Sequence, residues 1–138
     1  MALSTRQVVA ELLQAWNAHD VERIVALHAP DYEGMDVAWP GPRRGRDGVR
    51  RGWGRYLAAF PDLQFAAETV IVQGNRAAVS WTALGTHRGA LMNIPPTGRA
   101  VRVRGISVLH VEQGQVTRAL HVWDVAGLLR TIGLLPEL

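Results

Sequence analysis

Val101-Arg-Val-Arg-Gly-Ile-Ser-Val-Leu-His-Val111 and Val116-Thr-Arg-Ala-Leu-His-Val-Trp-Asp124-Val125 are the stretches that decide the fold. Both alternate apolar and polar side chains with a period of two, which is the pattern of strands with one face buried. Gln113-Gly114 between them has the amide and glycine content of a hairpin turn, so the two strands are antiparallel. Working back along the chain, Leu63–Val72 and Ala77–His87 carry the same period around a second turn signal, Gln73-Gly-Asn75. Only the link Gly89–Gly98, with Pro95-Pro96, is long enough to be a loop of its own.

Upstream of residue 63 the period becomes that of helices. Ser4-x-x-Gln7 reads as a capping box opening a helix that runs to about Ala18, with Val8, Val9, Leu12, Leu13 and Trp16 on one face. Asp20 is the expected N-cap of a second helix with Val21, Ile24, Val25 and Leu27 inward, closed by Pro30. Tyr32 to Trp39 suits a short strand, Pro40-Gly-Pro-Arg-Arg-Gly a loop, and Asp47 the cap of a third helix carrying Val49, Trp53, Tyr56, Leu57 and Phe60 up to Pro61. A last short helix spans Gly127 to Gly133, a C-cap glycine. Helices followed by strands predict an α+β domain: a curved antiparallel or mixed sheet, its concave face covered by three N-terminal helices, forming a cone that can hold a small ligand.

Residues 1–138, 48% of them apolar, suit one domain with a core of useful size. No apolar run has membrane-spanning length and the first residues open a helix, so the expected location is the cytoplasm with no membrane partner. The absence of cysteine excludes disulfides, thiolate metal sites and a Cys nucleophile. All fifteen basic residues are arginine against twelve acids, a formal charge of +3. They cluster at Arg43, Arg44, Arg46, Arg50, Arg51 and Arg55 without aromatic residues interleaved in an exposed pattern, which reads as a solvated, solubilising face, with an anionic partner as the alternative and little support for a nucleic-acid surface. His19, His28, His87, His110 and His121 form no metal-ligand spacing with nearby acids, so no metal is expected.

Asp124 is the first candidate for chemistry, a carboxylate beside Leu120, Val122, Trp123, Val125, Leu128 and Leu129. Apolar surroundings raise a carboxylate's pKa toward the range useful for acid–base catalysis. The plain alternative is a helix N-cap accepting from the N–H groups of residues 126 and 127. Trp16, Trp39 and Trp123 either fill the core or line a flat apolar pocket, whose wall is completed by Tyr32, Met35, Asp36, Trp53, Met92, Ser107 and Leu120. Asp36 is the other acid expected to point inward, and an Asp36–Asp124 pair would favour epoxide or water chemistry. His87, at a strand end beside the long loop, is placed at the pocket mouth as a donor to a developing enolate. Arg102 and Arg104 alternate with Val101 and Val103, which favours the solvent face over an inward clamp for a carboxylate or for Asp124.

Gly85-Thr-His-Arg-Gly89, Ile94-Pro-Pro-Thr-Gly-Arg99, Gly114-Gln-Val and Asp124-Val-Ala-Gly-Leu-Leu-Arg-Thr-Ile-Gly133, in this order and spacing, resemble the SnoaL-like polyketide cyclase family. Asn17-Ala-His-Asp20, Ala29-Pro-Asp31, Gly45-Arg-Asp-Gly-Val49 and Phe60-Pro-Asp62 extend the likeness over nearly the whole chain. That family has the cone-shaped α+β fold of the nuclear transport factor two superfamily, which also holds ketosteroid isomerases, scytalone dehydratase and limonene epoxide hydrolase. The resemblance implies cofactor-free ring closure of a hydrophobic polyketide-like substrate by intramolecular aldol condensation, and a homodimer formed through the outer face of the sheet. It assigns the proton-shuttling aspartate to Asp124. The chain departs from the family where it has Arg118-Ala119-Leu120 in place of Glu-His-Trp and Ser107 in place of an aspartate; His110 and His121 are then the nearby histidines that could serve as its partner. Epoxide hydrolase, pyran-forming cyclase, hydroxylase and isomerase activities on the same scaffold are the alternatives, with a hydrophobic-ligand carrier as the non-enzymatic one.

Overall fold

The computed structural model describes residues 1–136. Helix α1 (Thr5–Ala18) begins at the expected capping box: Ser4 Oγ accepts from the Gln7 N–H at 3.2 Å and Gln7 Oε1 from the Ser4 N–H at 2.8 Å. Asp20 caps α2 (Val21–Ala26) through the Arg23 N–H. Strand β1 (His28–Asp36) and the short β2 (Arg43–Arg44) precede α3 (Gly45–Ala59). Then come β3 (Gln64–Gln73), β4 (Arg76–Thr86), β5 (Ala100–Glu112), β6 (Gln115–Trp123) and α4 (Val125–Thr131).

Four elements have boundaries that differ from expectation, the last helix among them: α4 starts at Val125, ahead of Gly127, and its C-cap is Ile132, not Gly133. Helix α2 stops at Ala26 and not at Pro30, because Pro30 already lies in β1, in the irregular stretch between His28 and Glu33 where the register with β6 shifts. A bulge is where a strand tolerates a missing N–H. Asp47 is not a cap: α3 starts at Gly45, with Arg44 at the N-cap and no side-chain cap bond, and Asp47 sits in the first turn, where a carboxylate is favourable to the helix dipole and binds Arg50. The short strand also starts earlier, at His28, and ends at Asp36.

The sheet order is β2-β1-β6-β5-β4-β3. The hairpins β3–β4 and β5–β6 are antiparallel, and Gln113 and Gly114 both take positive φ, as a tight hairpin with the twist of its strands requires. The last strand returns to lie beside the first, and β1 and β6 run parallel, so the sheet is mixed. The sheet curls around α1, α2 and α3, giving the expected cone.

Register determines what faces the cavity. Val79, Trp81 and Ala83 of β4, Val101, Ser107 and Leu109 of β5, and Ala119 of β6 turn into the core, while Ile106, Leu120 and Val122 emerge on the outer face. Arg102 and Arg104 lie outside as their alternation predicts, Arg104 meeting Glu68 at 3.2 Å. Trp81, Gly105 and Trp123 are paired across three strands, and a Cβ at Gly105 would collide with the Trp81 indole and with the Trp123 Cβ. The glycine lets two large rings share one row of the inner face.

Candidate active site

A cavity of about 130 Å³ opens between the helices and the inner face of the sheet. That is the scale of a space that holds one aromatic ring. Its deep wall is aromatic and aliphatic: Trp16 packs on Trp53 and Phe65 at ring separations of 5.5 and 5.1 Å, and Phe65 meets Trp81 edge-on at 5.2 Å. Leu12, Val49, Phe60, Val101 and Leu109 fill the gaps. These residues come from helical positions spaced by three or four and from alternate strand positions, so the apolar lining is the expected consequence of both periods.

The opposite wall is polar and built around Asp36, which ends β1 and is only 6% exposed. A buried carboxylate is costly unless donors surround it. Oδ1 accepts from the Trp123 indole N–H at 3.0 Å and from the Ala38 N–H at 2.9 Å, and Oδ2 accepts from the Tyr56 hydroxyl at 2.6 Å. Tyr56 in turn receives the Trp39 indole N–H at 2.9 Å. A carboxylate has about four acceptor positions. Three are filled, and the open one is on Oδ2. Burial, reinforced by the Asp36 charge and its hydrogen bond, pushes the Tyr56 hydroxyl far above its ordinary pKa, so it stays a donor. Burial likewise pushes Tyr32 up to about 12.

His121 is the register partner of Asp36 in the β1–β6 ladder and therefore shares its inner face. Its Nδ1 lies 2.7 Å from Ser107 Oγ, which itself accepts the Trp81 indole N–H at 3.0 Å. The serine has no other acceptor among the described residues, so its proton goes to Nδ1 and the imidazole proton is assigned to Nε2. Nε2 has no partner among the described residues and is left for a ligand. Burial lowers the His121 pKa against the pull of Asp36, which keeps the ring neutral. His28, at the other end of β1, donates from Nδ1 to the Ile24 carbonyl at 2.7 Å and packs edge-on against Tyr32. Burial drops its pKa to about 4.

Trp16, Tyr32, Asp36, Trp53, Ser107, His121 and Trp123 are thus gathered around one cavity. Other expected residues lie elsewhere. Asp124 is exposed and caps α4, its Oδ1 accepting from the Gly127 N–H at 2.9 Å, outside the cavity lining. It follows the inward Trp123 by one residue and is out of phase with the inner face, so the expected Asp36–Asp124 pair across the cavity is not formed. His87 is fully buried but away from the cavity: Nδ1 accepts from the Thr97 N–H and contacts its hydroxyl, the ring packs on Phe60, and the residue pins the base of the 87–99 loop. His110 pairs with Arg76 and Arg118 and is absent from the cavity wall. Leu120, 42% exposed, belongs to the outer face, and its ladder partner Met35, 41% exposed, is also open to that side although it does line the cavity as expected. Met92 packs against the core from the loop with positive φ and does not line the cavity. Trp39 lies in the adjoining surface groove and reaches the site only through Tyr56.

Tyr56, His28, Arg43 and Phe65 are site residues that sequence reasoning did not single out as functional. Tyr56 had a signal, a polar tip on the otherwise apolar stripe of α3. Among the described residues no group of three or more His, Cys, Asp or Glu gathers in a form that could hold a metal ion.

Against this geometry, the family model for SnoaL-like polyketide cyclases matches residues 6–132. No curated protein matches. Among solved structures, AclR from Streptomyces galilaeus, a putative hydroxylase, is 28% identical with a TM-score of 0.86 over 97% of this chain and 83% of its own. IdmH from Streptomyces antibioticus, a putative polyketide cyclase, is 27% identical with a TM-score of 0.81 over 94% of this chain and 98% of its own. A protein with a ketosteroid isomerase-like fold from Catenulispora acidiphila is 17% identical with a TM-score of 0.79 over 94% of both chains, a likeness of fold alone.

Proposed function

The chain belongs to the SnoaL-like polyketide cyclase family, and on that footing we propose that it is a cofactor-independent cyclase acting on a hydrophobic, polyketide-like ketone or ester, with Asp36 as the acid–base residue. The observation that carries this reading is the Asp36 carboxylate, the one buried acid among the described residues, facing the aromatic wall of the cavity with three donors bound and one acceptor position of Oδ2 unfilled.

In the proposed reaction, a carbonyl oxygen accepts from His121 Nε2–H while Asp36 Oδ2 removes a proton from the adjacent carbon. The resulting enolate carbon attacks a second carbonyl of the same molecule, forming the ring bond, and the new alkoxide takes the proton back from Asp36. Atoms balance and no redox partner is needed. A neutral imidazole is suited to this donation because its N–H is a very weak acid, so it stabilises the oxyanion by hydrogen bonding without passing its proton to it. The Tyr56 and Trp123 donors hold the carboxylate in place through each transfer.

The test uses deuterium exchange into propiophenone, a one-ring aryl ketone, followed by NMR in heavy water. The wild-type protein is expected to accelerate exchange at the carbon beside the carbonyl, and Asp36→Asn to lose the acceleration. An Asp36→Asn variant as active as wild type removes Asp36 from the mechanism.

The same reading includes a homodimer. Ile106 and Val122 are register partners, as are Met35 and Leu120, and all four are at least 41% exposed on one apolar stripe of the outer sheet face. Light scattering of Ile106→Glu/Val122→Glu is expected to give half the wild-type mass, and an unchanged mass overturns the dimer face.

A further inference from the structure

We propose that the groove between the β1–β2 turn and α3 is a subsite for an anionic group, a carboxylate or phosphate, on the same molecule whose apolar part fills the cavity; this rests on the cavity being the substrate site. Trp39 forms one side of the groove and Arg43, Arg44, Arg51 and Arg55 converge on it, with no acid in its lining.

The arginines here differ from the others of the same cluster. Arg46 donates to the His28 carbonyl, and Arg50 is tied to Glu22 and Asp47 at 2.9 Å. Arg44 has only Glu33 at 3.8 Å, and Arg43, Arg51 and Arg55 have no acid within 4 Å among the described residues. Arg43 Nη2 is buried without a hydrogen-bond partner among them. Arg51 and Arg55 stand four residues apart on α3, a like-charge spacing that weakens a helix. The guanidinium carbons of Arg43 and Arg55 lie 5.1 and 5.2 Å from the Trp39 ring centroid. The indole gathers the two cations without neutralising them. A solvated, solubilising surface needs no such convergence.

Two connections join the groove to the cavity. Arg43 lines both, and its guanidinium passes so close to Gly52 that any Cβ there would collide with it. The Trp39 indole N–H, in the groove, bonds the Tyr56 hydroxyl, which bonds Asp36. A ligand with its ring in the cavity and its chain running past Arg43 would bring an acidic terminus to Arg51 and Arg55. The deep aromatic wall of the cavity offers that charge no partner, whereas the arginines of the groove do. The groove thus selects substrates that carry an anionic arm.

The test compares three probes with the same ring and spacer, 4-phenylbutanol, 4-phenylbutyrate and 4-phenylbutyl phosphate, by calorimetry on the wild type and on Arg51→Gln/Arg55→Gln. At low ionic strength the two anions are expected to bind about tenfold more tightly than the alcohol, with the margin shrinking as salt is added. The double variant is expected to erase the margin and leave alcohol affinity unchanged, and its melting temperature is not expected to fall, because a like-charge pair has been removed. An advantage for the phosphate alone or the carboxylate alone, lost in the variant, supports the subsite and tells which anion it takes. Equal binding of alcohol and anions by the wild type, or a margin that survives the double variant, overturns the subsite while the cavity stands. Failure of all three probes to bind overturns the cavity as substrate site and the groove with it.

Discussion

Two aspartates end neighbouring strands that run side by side in the same direction, and they have opposite surroundings. Asp36 closes β1 and is buried among three donors; Asp124 follows β6 and is exposed as a helix cap. Asp124 has the more apolar neighbours in sequence, yet it is the one in water. What separates them is phase. Ser107, His121 and Trp123 occupy inward positions, Asp36 is registered with His121, and residue 124 falls one step out of phase where the chain turns into α4. The side a carboxylate takes is set by strand parity and by the cap the next helix needs, and apolarity of its sequence neighbours is a poor guide to either.

The sharpest way to break this comparison is to make the same conservative change at both positions. Asp36→Asn is expected to lower turnover by about 10²–10⁴-fold, the usual contribution of a positioned acid–base residue, and Asp124→Asn to leave turnover within about twofold. Steady-state kinetics on any accepted substrate decides it; equal losses, or a loss confined to the Asp124→Asn variant, returns the chemistry to the strand end at Trp123.

A smaller effect tests the other end of Asp36's own strand. His28 has its pKa lowered by burial from the ordinary 6.5 to about 4. Between these values the unfolded chain binds the proton that the folded chain refuses, so stability is complete above about pH 6.5 and is lost as pH falls toward 4. The loss is on the order of 3 kcal/mol for this group. His121, also lowered by burial, acts in the same direction. Urea midpoints should therefore drop between pH 7.5 and 4.5, and His28→Gln should remove part of the slope. An unchanged slope means that His28 is not held neutral by burial.

The cone and its strands were legible because both periods are long and clean: β3 to β6 fall within a residue or two of the runs read from sequence, and the Ser4 and Asp20 caps form as their side chains predict. Pro30 misled because proline closes helices and also fits the bulge of a strand. The parallel placement of β1 beside β6 joins residues more than eighty positions apart, and no local pattern encodes it. That pairing makes the site, since it registers Asp36 with His121 and sets the Trp123 indole on the carboxylate. His87 and His110 illustrate the same limit: one turns away beneath a loop and the other stays off the cavity wall, although all three histidines sit on or beside strands.

Tyr56→Phe ranks next. It removes one donor from Asp36 and the acceptor of the Trp39 indole, leaving Ala38 and Trp123 on the carboxylate. A hydrogen bond to a charged group contributes about 2 kcal/mol, and the denaturation midpoint at neutral pH should fall accordingly. A cost below that of uncapping α4 would contradict the ranking of the two aspartates.

Uncapping is the smallest effect and the most specific to geometry. Asp124→Ala is expected to cost about 1 kcal/mol, with Asp124→Asn near neutral because asparagine caps equally well. The carboxylate also lies so close over Gly127 that a Cβ there would collide with it. Gly127→Ala alone should therefore destabilise by breaking the cap. In the Asp124→Ala background, however, the same change no longer meets that carboxylate and should gain about 0.5–1 kcal/mol from the lower backbone entropy of alanine. The reversal of sign in a double-mutant cycle read by thermal melts is the signature of a cap. Additive losses would mean that the Asp124 side chain is not folded back over its own helix, and turnover unchanged across all three variants would complete the separation of this aspartate from Asp36.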